Sequence, residues 1–221
     1  MKDSKLLTTV SAITMALLLC VGAILVPILC RPFYYAHIQP LKLSEQTGLT
    51  VTDIKRAYNE MLDYCLGLDE FATGTLPWSE SGKAHFFDVQ QLFFLAFRLF
   101  GLCVVVLFLL WLLSRFLHLR PALLLGHGPC FWSGAGLGIL FLLVGGLASL
   151  DFHGAFVFFH TLFFPGKDNW ILNSNTDPII DILPQIFFRN CAILILALII
   201  IGCIFLMLVD MISTNHRQRS I

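Results

Sequence analysis

The sequence predicts an α-helical integral membrane protein: four transmembrane helices with a small extracytoplasmic cap formed by two outer loops. Two observations carry this reading. Hydrophobic residues make up 57% of the 221-residue chain, and the mean hydropathy is +0.83. Four apolar runs, at about 11–29, 92–113, 131–150 and 192–209, approach or reach the roughly 20 residues needed to cross a bilayer core. The chain is therefore read as a single membrane domain over residues 1–221.

The first run follows Lys2 and Lys5, as a signal peptide would, but Val26-Pro27-Ile28-Leu29 offers no small-residue cleavage site, so a retained helix is expected. Orientation follows from basic residues near the spans. Lys2, Lys5, Arg115, Arg120, Arg217 and Arg219 crowd the short stretches on one side, whereas the long segments on the other side are sparsely basic. The dense side is assigned to the cytoplasm. Both termini then lie there, and loops 31–91 and 151–190 lie outside. The net charge is zero, so no nucleic-acid partner is indicated.

Within the first outer loop, Thr50 or Thr52 can cap a helix with Asp53 in its first turn. Ile54, Ala57, Tyr58, Met61, Leu62 and Cys65 then recur at helical period, which predicts an amphipathic helix to about residue 66. Its face lacks strong basicity, so packing on the cap is expected over lying among lipid headgroups. Residues 67–82 read as loop, punctuated by Gly74, Pro77 and Gly82. From about Lys83 the chain turns helical and runs into the second span. His85 and Asp88 then share a face just above the membrane. Asp88 could accept the His85 N–H and fix its tautomer; the plainer reading is an interfacial histidine beside a helix-terminus acid. Arg98 sits about 10 Å into the second span, at 1.5 Å per residue from Gln91. A charge there needs a partner, and Gln91, Asp151 and a substrate headgroup are the candidates.

Residues 151–164 fit either a continued third helix or an extended aromatic run. Gly154 and the Phe-rich stretch after it favour a change of structure near 154. Pro165-Gly166-Lys167-Asp168-Asn169 is a turn. Asp177-Pro178 opens a short helix, as cap and first residue, that Pro184 breaks or bends before the fourth span. Cys20, Cys103 and Cys203 fall inside spans as small apolar residues. No CxxC pair exists; a disulfide among Cys30, Cys65 and Cys191 stays open.

The densest chemistry lies at Phe159-His160-Thr161-Leu162-Phe163-Phe164, with Trp170 and Asp177 further along. A histidine and carboxylates held in an aromatic, apolar surround suit a lipid-like substrate, with Phe159, Phe163, Phe164 and Arg98 as candidate binding residues. No GxSxG elbow, HExxH motif or Walker loop is present. Without HxH or HxxxH spacing, no metal is expected. What remains is general acid–base chemistry by histidine on a membrane-resident substrate.

The motifs His85-Phe86-Phe87-Asp88-Val89, then Phe159-His160-x-x-Phe163-Phe164, Trp170, Asp177, Leu183-Pro184 and Phe187-Phe188, come in an order that resembles the bacterial lipoprotein intramolecular transacylases. Ala57-Tyr58 and Leu62-Asp63-Tyr64 are similar to that family's outer helix. The resemblance covers the whole chain. It implies an enzyme of the bacterial cytoplasmic membrane whose active site faces outside and whose substrate is a diacylated lipoprotein. The sn-2 acyl chain of the diacylglyceryl group moves to the α-amine of the N-terminal cysteine and leaves a lyso-form lipoprotein. Only this substrate and membrane lipid are expected as partners, with no cofactor, and the protein is expected to be a monomer. The resemblance points to His85 and His160 as the acid–base pair, with Asp88 orienting His85 and with Trp170 and Asp177 shaping the site; it does not say which histidine is the base, and only His160, not His153, stands in the family's position. Two other readings stand beside it: a non-enzymatic membrane chaperone or accessory subunit, and a metal-dependent lipid hydrolase.

Overall fold

A computed structural model of the protein describes the backbone of residues 1–219 and the side chains of residues 1–215. Arg217 and Arg219, which entered the charge argument, have side chains outside the described residues. In chain order the elements are β1 (Lys2–Ser4), α1 (Lys5–Leu29), α2 (Arg31–Ile38), α3 (Leu43–Thr47), α4 (Val51–Cys65), α5 (Glu80–Phe116), β2 (Leu119–Pro121), α6 (Pro129–Leu150), α7 (Phe152–Phe163), a 3-10 helix (Pro178–Ile182) and α8 (Gln185–Arg219). The expected spans fall inside α1, α5, α6 and α8, which among the described residues are the four helices long and apolar enough to cross a membrane. The 37 residues of α5 extend about 55 Å, well beyond a hydrocarbon core of about 30 Å. Its apolar stretch begins near Leu92, so the turns that carry His85 and Asp88 lie outside the span.

The chain forms two compact units. The first comprises Met1–Val26, Phe97–Leu147 and Leu194–Ile221. Here α1, α6 and α8 meet around Ala23, Leu137, Ile199 and Cys203. Small residues allow the close approach: a Cβ on Gly134 would lie 2.6 Å from the Cys203 carbonyl oxygen. Phe108, Leu109, Leu142 and Leu143 are exposed, as suits side chains facing lipid. Strands β1 and β2 pair in parallel, Asp3 opposite Arg120, and the Thr8 hydroxyl donates to the Ala122 carbonyl at 2.8 Å.

The second unit comprises Pro27–Ala96 and Ala148–Ile193. Its core is organised by α4. Thr50 caps this helix, its hydroxyl accepting the Asp53 N–H at 3.1 Å. The expected apolar face, Ile54 through Cys65, is buried against residues of α2, α3 and the 3-10 helix. Each such large side chain stabilises the fold by about 1.5–3 kcal/mol. Tyr34 stacks on Tyr58 at 3.7 Å between centroids, and its hydroxyl donates to the Ile182 carbonyl at 2.8 Å. Arg31 pairs with Asp63. The amphipathic helix therefore rests on protein, as its composition predicts.

Residues 151–164 take the helical of the two alternatives, as a separate helix. The change of structure falls at Asp151, three residues earlier than read from Gly154, and the chain beyond it is helical rather than extended. Asp151 caps α7 by accepting the Gly154 N–H at 2.9 Å. That local hydrogen bond outweighs the strand preference of the phenylalanines. All seven cysteines are free, Cys30, Cys65 and Cys191 included. Burial pushes the Cys65 thiol up to about 12, which keeps it from acting as a thiolate nucleophile at neutral pH.

Candidate active site

His160 lies in the last turn of α7 and is 8% exposed. Its Nδ1 is 2.7 Å from the Phe156 carbonyl, one turn back. A carbonyl only accepts, so Nδ1 carries the proton and Nε2 keeps its lone pair. Burial lowers the His160 pKa, and the Phe156 hydrogen bond partly opposes this. Trp170 stacks on the ring at 4.6 Å, while its own N–H donates to the Lys167 carbonyl at 3.1 Å. A tryptophan face beside an imidazole favours the charged form once a proton arrives.

His85 is 7% exposed, and its ring centroid stands 6.1 Å from that of His160. Phe86 and Phe164 wall it at 5.6 and 5.2 Å. Burial first, then repulsion from His160, lowers its pKa to about 4, against an opposing pull from Asp88. His85 Nδ1 is buried without a hydrogen-bond partner among the described residues.

The hydrogen bond expected between Asp88 and His85 is not formed. Asp88 accepts instead from Lys167 Nζ at 2.6 Å and from Asn169 Nδ2 at 3.0 Å. A lysine ammonium and an amide reach the carboxylate from the 165–169 turn and outcompete a neutral imidazole one turn away. Burial raises the Asp88 pKa, but these contacts outweigh it and the net shift is downward. The Asn169 Oδ1 left over is also buried and unpartnered among the described residues.

Asp177 is 3% exposed and acts on the start of α5. Its carboxylate accepts from the Ser79 N–H at 2.7 Å, the Ser79 hydroxyl at 2.8 Å and the Thr176 hydroxyl at 2.7 Å. Ser79 Oγ in turn accepts the Gly82 N–H at 3.0 Å. Burial pushes the Asp177 pKa up, yet the hydrogen bonds carry it below the ordinary carboxylate range. A Cβ on Gly82 would collide with the Asp177 carboxylate. The expected role as cap of its own short helix is not taken up, for Asp177 makes no capping bond there. It braces the helix that carries His85 instead, through Ser79, which is 98 residues away in sequence.

Of the apolar candidates, Phe164 is buried against both histidines. Phe159 touches the His160 ring edge-on at 5.5 Å, Phe163 packs on Phe159 at 4.7 Å, and both are nearly half exposed. His153 is exposed and pairs with Gln185. Arg98 belongs to the other unit and makes no ion pair among the described residues. Asp151, expected as its counter-ion, is the α7 cap. Sequence reasoning missed Ser79, Lys167 and Asn169. Lys167 and Asn169 read as turn residues, and the only signal was their closeness to Trp170.

Two buried histidines in an aromatic wall, on a chain whose described residues include four helices long and apolar enough to cross a membrane, define the class: a multi-pass α-helical membrane protein. Comparison with known proteins gives that class its family. The chain belongs to the lipoprotein intramolecular transacylase family, whose model, lipoprotein intramolecular transacylase Lit, matches residues 9–188. No curated protein matches the chain. Among solved structures it is similar to the membrane integral lipoprotein intramolecular transacylase Lit from Bacillus cereus, with 23% identity, a TM-score of 0.85, and 98% of this chain and 97% of that one covered. Two forms of that protein, with a histidine changed to arginine or to alanine, are similar at 22% identity and TM-scores of 0.81 and 0.80; 98% of this chain is covered in each case, against 94% and 95% of those chains. Those likenesses establish the shared fold. Family membership makes this an intramolecular acyltransferase of lipoprotein maturation and sets aside the accessory-subunit and hydrolase readings.

Proposed function

We propose that the protein moves the sn-2 acyl chain of a diacylated lipoprotein onto the α-amine of that lipoprotein's N-terminal cysteine, with His160 as general base and His85 as donor to the oxyanion. The observation that carries this is the pair of buried imidazoles with ring centroids 6.1 Å apart. The tautomer argument divides the roles. With Nδ1–H committed to Phe156, neutral His160 can only accept at Nε2, so it takes a proton from the α-ammonium. The amine nitrogen then attacks the ester carbonyl carbon. A neutral His85 N–H supplies a hydrogen bond to the tetrahedral oxyanion. His160 passes this first proton to solvent, takes a second from the attacking nitrogen in the tetrahedral intermediate, and gives it to the alkoxide as the carbon–oxygen bond to glycerol breaks.

Apart from the ionising proton of the ammonium, no atom enters or leaves, so the free-amine substrate and the product have equal neutral mass. Amine and ester belong to one molecule, so the barrier falls mainly through positioning. The substrate's α-ammonium, ordinarily near pKa 7.7–8, also loses solvation in this wall, which brings it toward a base whose own pKa is lowered. The exposed Phe159 and Phe163 receive acyl chain, and Asp177 places the His85 helix. Both termini are assigned to the cytoplasm and the site to the outside of a bacterial cytoplasmic membrane, on the density of basic residues. The working state is a monomer that meets membrane lipid and its lipoprotein substrate.

The test supplies purified protein with a diacylated lipopeptide and phospholipid bearing isotope-labelled acyl chains. The fragment spectrum should change to an N-acyl product at constant mass and without label. A product one acyl chain heavier, or one carrying label, would make phospholipid the donor and overturn the reading.

A further inference from the structure

We propose that Asp88 is the receptor for the substrate's α-ammonium and that Lys167 occupies it as a stand-in until substrate arrives. The inference rests on the reaction proposed above and adds the group that recognises its nucleophile. Lys167 Nζ is itself a primary ammonium, held 2.6 Å from Asp88 Oδ1. The lysine is 49% exposed on a surface turn, whereas Asp88 is 14% exposed on α5. The cation can therefore swing into solvent while the carboxylate stays.

A primary ammonium has three N–H donors and needs three acceptors when desolvated. Asp88 Oδ1 supplies one. Asn169 fixes its orientation by donating Nδ2 to Asp88 Oδ2, which commits its Oδ1 as an acceptor, and that oxygen is buried and unpartnered among the described residues. The next residue, Trp170, stacks on His160, whose Nε2 lone pair supplies the third acceptor and the destination of the proton. Bulk water does not reach the two unpartnered atoms at this site, Asn169 Oδ1 and His85 Nδ1, because both are sealed from solvent.

The exchange also gives the cycle a direction. Once the α-nitrogen is acylated it is a neutral amide and has no charge for Asp88. Lys167 then returns to the vacated carboxylate, and Asp88 no longer holds the product head. Substrate and product are thus told apart by charge at one atom.

The test measures binding, not turnover. Full-length His160→Ala protein in lipid nanodiscs is titrated at pH 6.5 with a diacylated lipopeptide bearing a free α-amine, and with its N-acetylated twin. The free amine should bind at least about tenfold more tightly, the low end for one charged hydrogen bond. Adding Asp88→Asn, which keeps an acceptor for Lys167 and Asn169, should bring the ratio near one. Adding Lys167→Gln should strengthen free-amine binding severalfold and leave the N-acetyl form unchanged. If both ligands bind alike in the parent, or if Asp88→Asn weakens both equally, Asp88 is a structural brace of the turn and the inference fails, while the reaction stands. If folded protein binds neither ligand, the substrate assignment itself fails and takes this inference with it.

Discussion

Replacing Asp177 with alanine separates bracing of the site from ordinary stability. The carboxylate makes three hydrogen bonds of 2.7–2.8 Å while nearly fully buried. Losing one charged partner in such a place costs about 1.5–3 kcal/mol, and the orphaned Ser79 N–H adds its own desolvation penalty. Because the three bonds share one acceptor group they do not add fully, and about 3 kcal/mol is expected in total. At roughly 2–4 °C per kcal/mol for a chain of this size, the melting temperature should fall by about 6–12 °C. Turnover should fall further than stability predicts. His85 lies less than two helical turns after Ser79, so a frayed first turn of α5 displaces the imidazole, and displacement of about 1 Å costs about 10²-fold. The assay is lipopeptide conversion by mass spectrometry, run well below the new melting temperature, beside thermal unfolding in the same detergent. Gly82→Ala should reproduce the defect from the other side, since its Cβ meets the Asp177 carboxylate. Wild-type melting and wild-type turnover in Asp177→Ala would refute the bracing role.

The same geometry sets three more outcomes. His85→Ala and His160→Ala should each lower turnover by about 10² or more, the double variant should lose little beyond the worse single, because the pair acts as a unit, and His153→Ala should be mild; kinetics on well-folded variants check this. The buried His85 has its folded pKa depressed to about 4 against an ordinary 6.5, so between those values the unfolded chain binds more protons, and the stability contribution present above pH 6.5 is lost as pH falls toward 4. That amounts to roughly 3 kcal/mol by 1.36 kcal/mol per unit, and His85→Gln should flatten this limb of the melting-versus-pH curve. For topology, Gly74→Cys and Asn173→Cys in a background without the native cysteines should label with a membrane-impermeant reagent in intact cells; labelling only after lysis would invert the proposed orientation.

Legibility in the sequence divides along distance. The spans were legible because apolar runs of bilayer length have few other uses. The α4 face was legible because six apolar residues kept helical period, and the 3-10 start at Asp177-Pro178 because proline at a first helical position is a local signal. The two histidines were picked out by aromatic company and by family resemblance. Side-chain partners were not legible. His85 and Asp88 at helical spacing suggested a hydrogen bond, yet Lys167, 79 residues away, holds that carboxylate. Asp177 looked like a cap for its own helix and instead braces the start of α5 through Ser79, 98 residues away. Periodicity carries no information about contacts of that separation. For residues 151–164 composition left helix and strand both open, and one cap bond at Asp151 decides for the helix.

The central claim is that two buried histidines drive an acyl shift within a single lipopeptide, and a crossover experiment tests it most directly. Equal amounts of two diacylated lipopeptides are mixed with the enzyme, one carrying an isotope-labelled sn-2 chain and a heavy peptide, the other unlabelled throughout. Every N-acyl product should pair heavy peptide with labelled chain or light peptide with unlabelled chain, and His160→Ala should form about 10²-fold less of either. Products that pair heavy peptide with unlabelled chain at statistical frequency, or undiminished conversion by His160→Ala, would contradict the account.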